Sequence, residues 1–191
     1  ARAPPRRTEA ASGAPGARTL AAPQARAASD AFVDDGLNLA RRNGLPRDPE
    51  LFPDWTTTIA DAMVDETHSY FGALVWDDVR PLMDLFMAQE AWLTPELATH
   101  YGLEPQGEGM QRYDMSDQPE RGGLLTQGSM LTIGGNESSM VARGLFVFES
   151  VLCQHPVSPP PGVDTTPPDI APGSSQRDIP EVRTTDATCA G

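Results

Sequence analysis

Two cysteines are the residues whose chemistry would say most about this chain. Cys189 begins the terminal Cys-Ala-Gly, which supplies the first three positions of a C-x-x-C-H element. That element attaches a c-type haem, because two thiols form thioethers to the porphyrin and the adjoining imidazole binds its iron. Cys189 alone supplies one thioether and no iron ligand. Two interpretations therefore stay open: a haem-attachment element cut after Gly191, or an ordinary thiol, free or paired with Cys153.

The three histidines do not follow the spacing of a metal site. His68, His100 and His155 lie far apart in the chain, whereas metal sites usually take two ligands that are close in sequence. We expect each to be structural, with His100 favoured near a helix C-terminus by the helix dipole. A role for one of them as a distal axial ligand of a haem stays open, and no metal site is predicted.

The acidic residues form two groups in which a general acid and base could be sought. One is Asp77 with Asp78, and the other is Asp61, Asp65 and Glu66 on the longest predicted helix. Catalytic carboxyl groups need environments that separate their pKa values, so we expect both groups to be solvated helix faces. The serines form no nucleophile elbow, and the stretch TIGGNESS is not followed by the lysine of a phosphate-binding loop. No catalytic residue and no catalytic activity are predicted.

The charge of the chain is negative and unevenly distributed. The net charge is −13 over 191 residues, yet residues 1–28 carry five Arg and one Glu. The remainder is strongly acidic, which argues against nucleic-acid binding. No stretch is apolar enough for a transmembrane helix, and residues 1–28 lack the apolar run of a signal peptide. Any export signal is therefore expected upstream of this sequence.

Apolar periodicity and capping residues predict the helices that must position these groups. Ser29 is the predicted N-cap of the first helix, Thr94 of the best-punctuated short helix, and Ser138 or Ser139 of the last. Residues 103–123 are predicted to be an exposed loop. The predicted helices cover residues 29–44, 54–78, 77–88, 94–102 and 139–153. The predicted apolar stripe of the longest consists of Ile59, Met63, Val64, Thr67, Phe71, Leu74 and Val75.

The two ends of the chain differ in composition from its middle. Residues 1–28 and 156–180 hold few large apolar side chains and much of the Pro and Gly, so burial cannot offset the entropy lost on ordering. The fold class predicted is mainly α: a small bundle of four to five helices with a disordered segment 1–28 and an extended Pro-rich arm. The division is a helical domain over 29–120, then residues 121–191 with the last helix and the arm leading to Cys189.

Several stretches, taken in order, resemble one known group of proteins. The stretches are RDPELFPDWTTTIADAMVDETHSYF, ELATHYGL, RGGLLTQGSML, SSMVARGLFVFESVLCQHPVSPPPGV and RTTDATCAG. They are similar to the tandem domains of unknown function DUF1592, over 29–120, and DUF1588, over 121–191. These domains occur in large cytochrome-like multidomain proteins of planctomycetes and myxobacteria.

The resemblance implies a role that the residues alone do not. In that family the second domain ends in C-x-x-C-H, and Cys189 aligns with its first Cys. The chain is then a fragment of an exported, periplasmic or cell-envelope cytochrome c-like protein, which carries a covalent c-type haem when intact and none in this fragment. Its expected partners are the other domains of the parent chain and a redox partner. One departure is Val182, which precedes Arg183 where the family has His. The alternative is a non-redox structural or interaction module without catalytic activity.

Overall fold

The computed structural model of the chain describes residues 19, 22, 24–39, 47–134 and 139–157. Helices dominate these residues, which confirms the predicted mainly α fold. None of these helices is long and apolar enough to cross a membrane. The Pro-rich arm beyond Val157 and nearly all of residues 1–23 lie outside the described part. The α-helices are α1 Gln24–Leu37, α2 Thr57–Gly72, α3 Asp84–Met87, α4 Pro95–His100, α5 Gly128–Leu131 and α6 Met140–Phe146, and the strands are β1 Glu90–Leu93 and β2 Gln111–Asp114.

Helix α1 begins earlier and ends earlier than its sequence predicts. It starts at Gln24, so the predicted cap Ser29 lies inside it, and residues 24–28 are helical. The helix ends at Leu37 because Asn38 adopts the left-handed conformation, with φ of 55°, which terminates a helix as a glycine would. The predicted stop at Gly44 lies outside the described residues.

Helix α2 is the centre of the fold. Thr56 caps it by accepting a hydrogen bond from the Ile59 N–H at 3.2 Å, and a turn of π-helix, Ala73–Asp77, extends it. The helix contacts α1, β1, α4 and α5, so it is buried on more than one side. The predicted stripe is confirmed in part, since Val75 is exposed whereas Glu66, expected on the polar side, is buried.

The prediction of a third helix over residues 77–88 is wrong for most of that range. After the π-turn, Val79 adopts φ of 49°, and the Arg80 N–H donates to the Leu74 carbonyl at 2.8 Å. These contacts end the preceding helix, so α3 comprises only Asp84–Met87. Leu82, in the turn before α3, is exposed.

A short two-stranded antiparallel sheet, which the sequence did not predict, lies beside α2. Strand β1 pairs with β2 in the register Ala91 opposite Tyr113 and Trp92 opposite Arg112. Only Tyr113 is buried in β2, so the strand lacks the repeated apolar alternation by which a strand is recognised. The predicted loop over 103–123 is therefore wrong at β2.

Two hydrophobic clusters form the core. Leu124 and Met130 come from the segment after residue 120, yet they pack in the second cluster with residues of α1 and α2. The Thr67 and Ser129 hydroxyl groups are hydrogen-bonded at 2.7 Å across the same junction. The two predicted domains thus share one core over their described residues. The first cluster comprises Ile59, Ala62, Met63, Ala91, Leu93, Leu97, Ala98, Tyr113 and Met115, and the second Val33, Leu39, Tyr70, Leu74, Leu85, Ala88, Leu124 and Met130.

Helix α6 remains at the surface. Ser139 is its N-cap and accepts from the Ala142 N–H at 3.2 Å, as one of the two predicted alternatives. The helix has no buried residue. Val141 and Leu145 are exposed on this helix, which leaves an apolar surface uncovered by the described part of the chain.

Candidate functional site: a buried carboxyl group between three helices

Glu66 lies in the middle of α2 and is enclosed by the protein. Its side chain is 2% exposed, because it stands three residues after Met63 and four before Tyr70, both of which face the interior. Tyr101 approaches it from the end of α4, and Gly128 approaches from the start of α5. A carboxyl group buried among apolar residues is costly unless it is neutral or hydrogen-bonded.

A short chain of hydrogen bonds joins the three helices at this carboxyl group. The Tyr101 hydroxyl donates to Glu66 Oε2 at 2.7 Å and accepts from the Gly128 N–H at 3.0 Å. Glycine fits at 128 without a clash, whereas an added Cβ would stand 2.7 Å from the Met63 Sδ and closer still to the Tyr101 hydroxyl. The absence of a side chain therefore permits α5 to approach α2.

The surroundings bring the Glu66 proton into the neutral pH range. Burial raises the pKa of Glu66 to about 7, against the lowering effects of the hydrogen bonds from Tyr101 and Gly128 and of the Arg121 charge. Burial and the neighbouring Glu66 also raise the pKa of Tyr101 above its ordinary value, so that hydroxyl keeps its proton. The Arg121 guanidinium lies over the Tyr101 ring, 4.0 Å from its centre. Glu66 is thus the group that gains or loses a proton here.

A very small cavity adjoins the carboxyl group. It has a volume of about 10 Å³, and Gln127 lines it together with Glu66 and Arg121. The side-chain amide of Gln127 is buried, and neither its N nor its O atom has a hydrogen-bond partner in the described protein. This volume is at the lower limit for one water molecule. The arrangement can hold a proton and a water but not an organic substrate.

Among the described residues, neither Cys153 nor any of the three histidines belongs to this cluster. Cys189 lies outside the described residues, so its haem-attachment role is untested. Cys153 is a free, exposed thiol beyond α6. His68 pairs with Asp34 (Nε2 to Oδ1, 2.8 Å), burial lowers the pKa of His100, and His155 is exposed. In the ranges that the structure describes, no group of three His, Cys, Asp or Glu residues could hold a metal ion.

The predicted acidic groups have different surroundings. Asp61 and Asp65 are exposed on α2 as expected, while Asp77 pairs with Arg26 and Asp78 lies 3.5 Å from the Arg112 guanidinium. The interpretation of Glu66 as part of a solvated face is wrong. Its position three residues after Met63, on the buried stripe, was the sequence feature that could have identified it.

Comparison with known families divides the chain close to the site. Residues 7–103 match DUF1592 and residues 121–191 match DUF1588, each described as a protein of unknown function. No curated protein and no solved structure shows significant similarity to the chain. Glu66 and Tyr101 belong to the first match and Arg121 and Gly128 to the second. The buried carboxyl group therefore lies where the two matched segments meet.

Proposed function

We propose that this chain is the helical scaffold and arm of an exported cytochrome c-like protein. The reason is that the chain belongs to the DUF1592 family and continues into a segment that matches DUF1588. In this proposal the intact protein transfers electrons in the periplasm or cell envelope. The observation that carries it is the sequence Cys-Ala-Gly at Cys189, inside the segment that matches DUF1588. Such a sequence begins a haem-attachment element when Cys-His follows.

The shared core supports the scaffold part of the proposal. Thr67 of the first segment and Ser129 of the second are hydrogen-bonded at 2.7 Å, and Gly128 bonds to Tyr101 across the same junction. An arm attached to the second segment is therefore anchored to a folded core that also includes the first segment. A firmly held attachment point limits the conformational freedom of what the arm carries.

The described residues include a surface whose chemistry suits a porphyrin. The surface of α6 and the chain after it form a shallow, open depression of about 450 Å³, which is lined by Val141, Leu145, Phe148, Pro156 and Val157. A porphyrin face is apolar, so covering it with such side chains removes apolar area from water. In the proposal these residues cover one face, Cys189 supplies one thioether, and the haem when bound supplies the one-electron chemistry.

The test uses the full-length protein expressed in a host that matures c-type cytochromes. The proposal expects Cys-His directly after Gly191 and a pyridine haemochrome spectrum from haem that survives denaturation. Cys189→Ser should weaken or abolish the covalent attachment, whereas Cys153→Ser should leave it unchanged. A full-length protein without covalently held haem would remove the electron-transfer function.

The exposed face of α6 also favours the alternative, a non-redox interaction module. Here Val141 and Leu145 pack against another domain of the same parent chain, because exposed apolar patches mark interaction sites. Leu145→Asp in the full-length protein should then speed limited proteolysis between the domains. Phe32→Asp is the matched control, since Phe32 is an exposed apolar residue on α1. Equal cleavage rates for both variants would contradict this alternative.

A further inference from the structure

We propose that a cavity between α1, α2 and the two-stranded sheet binds a small organic cation. The cavity has a volume of about 380 Å³, within the range of small-molecule sites. The indoles of Trp76 and Trp92 line it, and Asp30 and Ser69 contribute polar groups. It is separate from the buried carboxyl group of Glu66, which does not line it.

The aromatic walls are held in place by the protein itself. The Trp76 Nε1–H donates to the Ser29 hydroxyl of α1 at 3.4 Å. Trp92 stands edge-on to Tyr70, with ring centres 6.0 Å apart and an angle of 68° between the ring planes, an arrangement that aromatic pairs favour. A ligand would therefore meet walls that are already ordered, which lowers the entropy lost on binding.

The charges around the cavity leave a negative group unbalanced. Asp77 and Arg26 both line the cavity and pair with each other. His68 also lines it and pairs with Asp34, which lies just outside the lining. Asp30 lines the cavity, and no hydrogen bond or ion pair joins it to another described residue. An anionic ligand is therefore disfavoured, whereas a cation balances the Asp30 charge.

The protein's own arginines show that these walls accept cations. The Arg26 guanidinium lies 5.9 Å from the centre of the Trp76 ring while it pairs with Asp77. Arg112 lies 5.1 Å from the centre of the Trp92 ring. An indole beside a carboxylate is the combination by which proteins recognise ammonium and guanidinium groups. Asp30 with the two indoles offers that combination to an external cation.

Choline and its uncharged isostere 3,3-dimethyl-1-butanol are the probes that separate charge from shape. Titration of the 191-residue chain, followed by tryptophan fluorescence and calorimetry, should show saturable choline binding. The isostere should bind at least about tenfold more weakly, because it lacks the charge that the indoles and Asp30 attract. Equal binding of choline and 3,3-dimethyl-1-butanol would overturn the proposal. A chain that binds a neutral glucose oligomer but not choline would overturn it as well.

Two variants test the site itself. Asp30→Asn should weaken choline binding by about tenfold or more, while Asp61→Asn, an equal charge change at an exposed position of α2, should leave it unchanged. Gly72→Leu should abolish binding, since Gly72 lines the cavity and a Cβ there meets no atom within 4 Å. The helix content of the Gly72→Leu variant should stay intact, because Leu favours a helix more than Gly does. Unchanged affinity in Asp30→Asn or in folded Gly72→Leu would refute the site.

Discussion

Replacing Glu66 by Gln isolates the energetic effect of one buried proton. Gln keeps the size of the side chain and an oxygen that accepts from the Tyr101 hydroxyl, but it cannot ionise. The pKa of Glu66 is about 7 in the fold against an ordinary value of 4.5. The folded protein thus binds this proton more tightly than the unfolded chain, so the stability from neutral Glu66 is fully present below pH 4.5 and is lost as the pH rises to about 7.

The size of that loss follows from the shift. Each pKa unit corresponds to about 1.36 kcal/mol, so the wild-type free energy of unfolding should fall by about 3 kcal/mol between about pH 4.5 and pH 7.5 because of Glu66. Glu66→Gln lacks this loss. The difference in unfolding free energy between variant and wild type should therefore move by about 3 kcal/mol in favour of the variant over this window.

Urea denaturation followed by circular dichroism, at half-unit steps of pH, measures the difference. The other titrating groups are shared by both proteins and cancel to first order. Asp65→Asn is the matched control, because Asp65 is exposed on the same helix, and its curve should run parallel to that of the wild type. A difference between Glu66→Gln and wild type that stays constant across the window would refute the buried, neutral carboxyl group.

Three further substitutions test the packing around the site and the end of the preceding helix. Gly128→Ala should cost about 1–3 kcal/mol of stability, because the added methyl group overlaps Met63 and Tyr101. Gly144→Ala places its methyl group in open space and should stabilise α6 by about 0.5–1 kcal/mol. Thermal melts measure both effects, and equal effects would contradict the close approach of α5 to α2. Val79→Gly should stabilise the protein by about 0.5–1 kcal/mol in urea denaturation, since Val79 has φ of 49° and is exposed and glycine relieves that strain; a loss of stability would contradict it. In urea denaturation, Tyr101→Phe should lower the free energy of unfolding by about 1–3 kcal/mol more at pH 8 than at pH 5, because the lost hydrogen bond is stronger to an ionised carboxylate. A loss that does not depend on pH would contradict the hydrogen bond from Tyr101 to a titrating Glu66.

Local features of the fold could be predicted from the sequence. Thr94 caps α4 by accepting from the Leu97 N–H at 3.3 Å, Pro95 opens the helix, and Gly102 follows it with φ of 75°. The cap of α6 at Ser139 was likewise among the predictions. Caps depend on a few neighbouring residues and their backbone angles, so the sequence contains them directly.

Features that depend on distant segments could not be predicted in this way. Glu66 lies on the buried stripe of α2, but its partner Tyr101 comes 35 residues later, and Gly128, which lets α5 approach, comes later still. Strand β2 exists through its pairing with β1 and buries only Tyr113. Helix α6 is exposed because no other segment of the described chain packs over it. The apolar periodicity of its own sequence does not reveal whether such a segment exists. The hydrogen bonds that complete the candidate site also join distant segments.

The proposed haem attachment is tested most directly on the peptide that contains Cys189. After maturation in a competent host, the full-length protein is cleaved with trypsin, and the peptide beginning at Thr184, after Arg183, is analysed by mass spectrometry. The proposal predicts that this peptide carries covalently bound haem, held by Cys189 and by a second cysteine directly after Gly191. A peptide with unmodified Cys189 would contradict it.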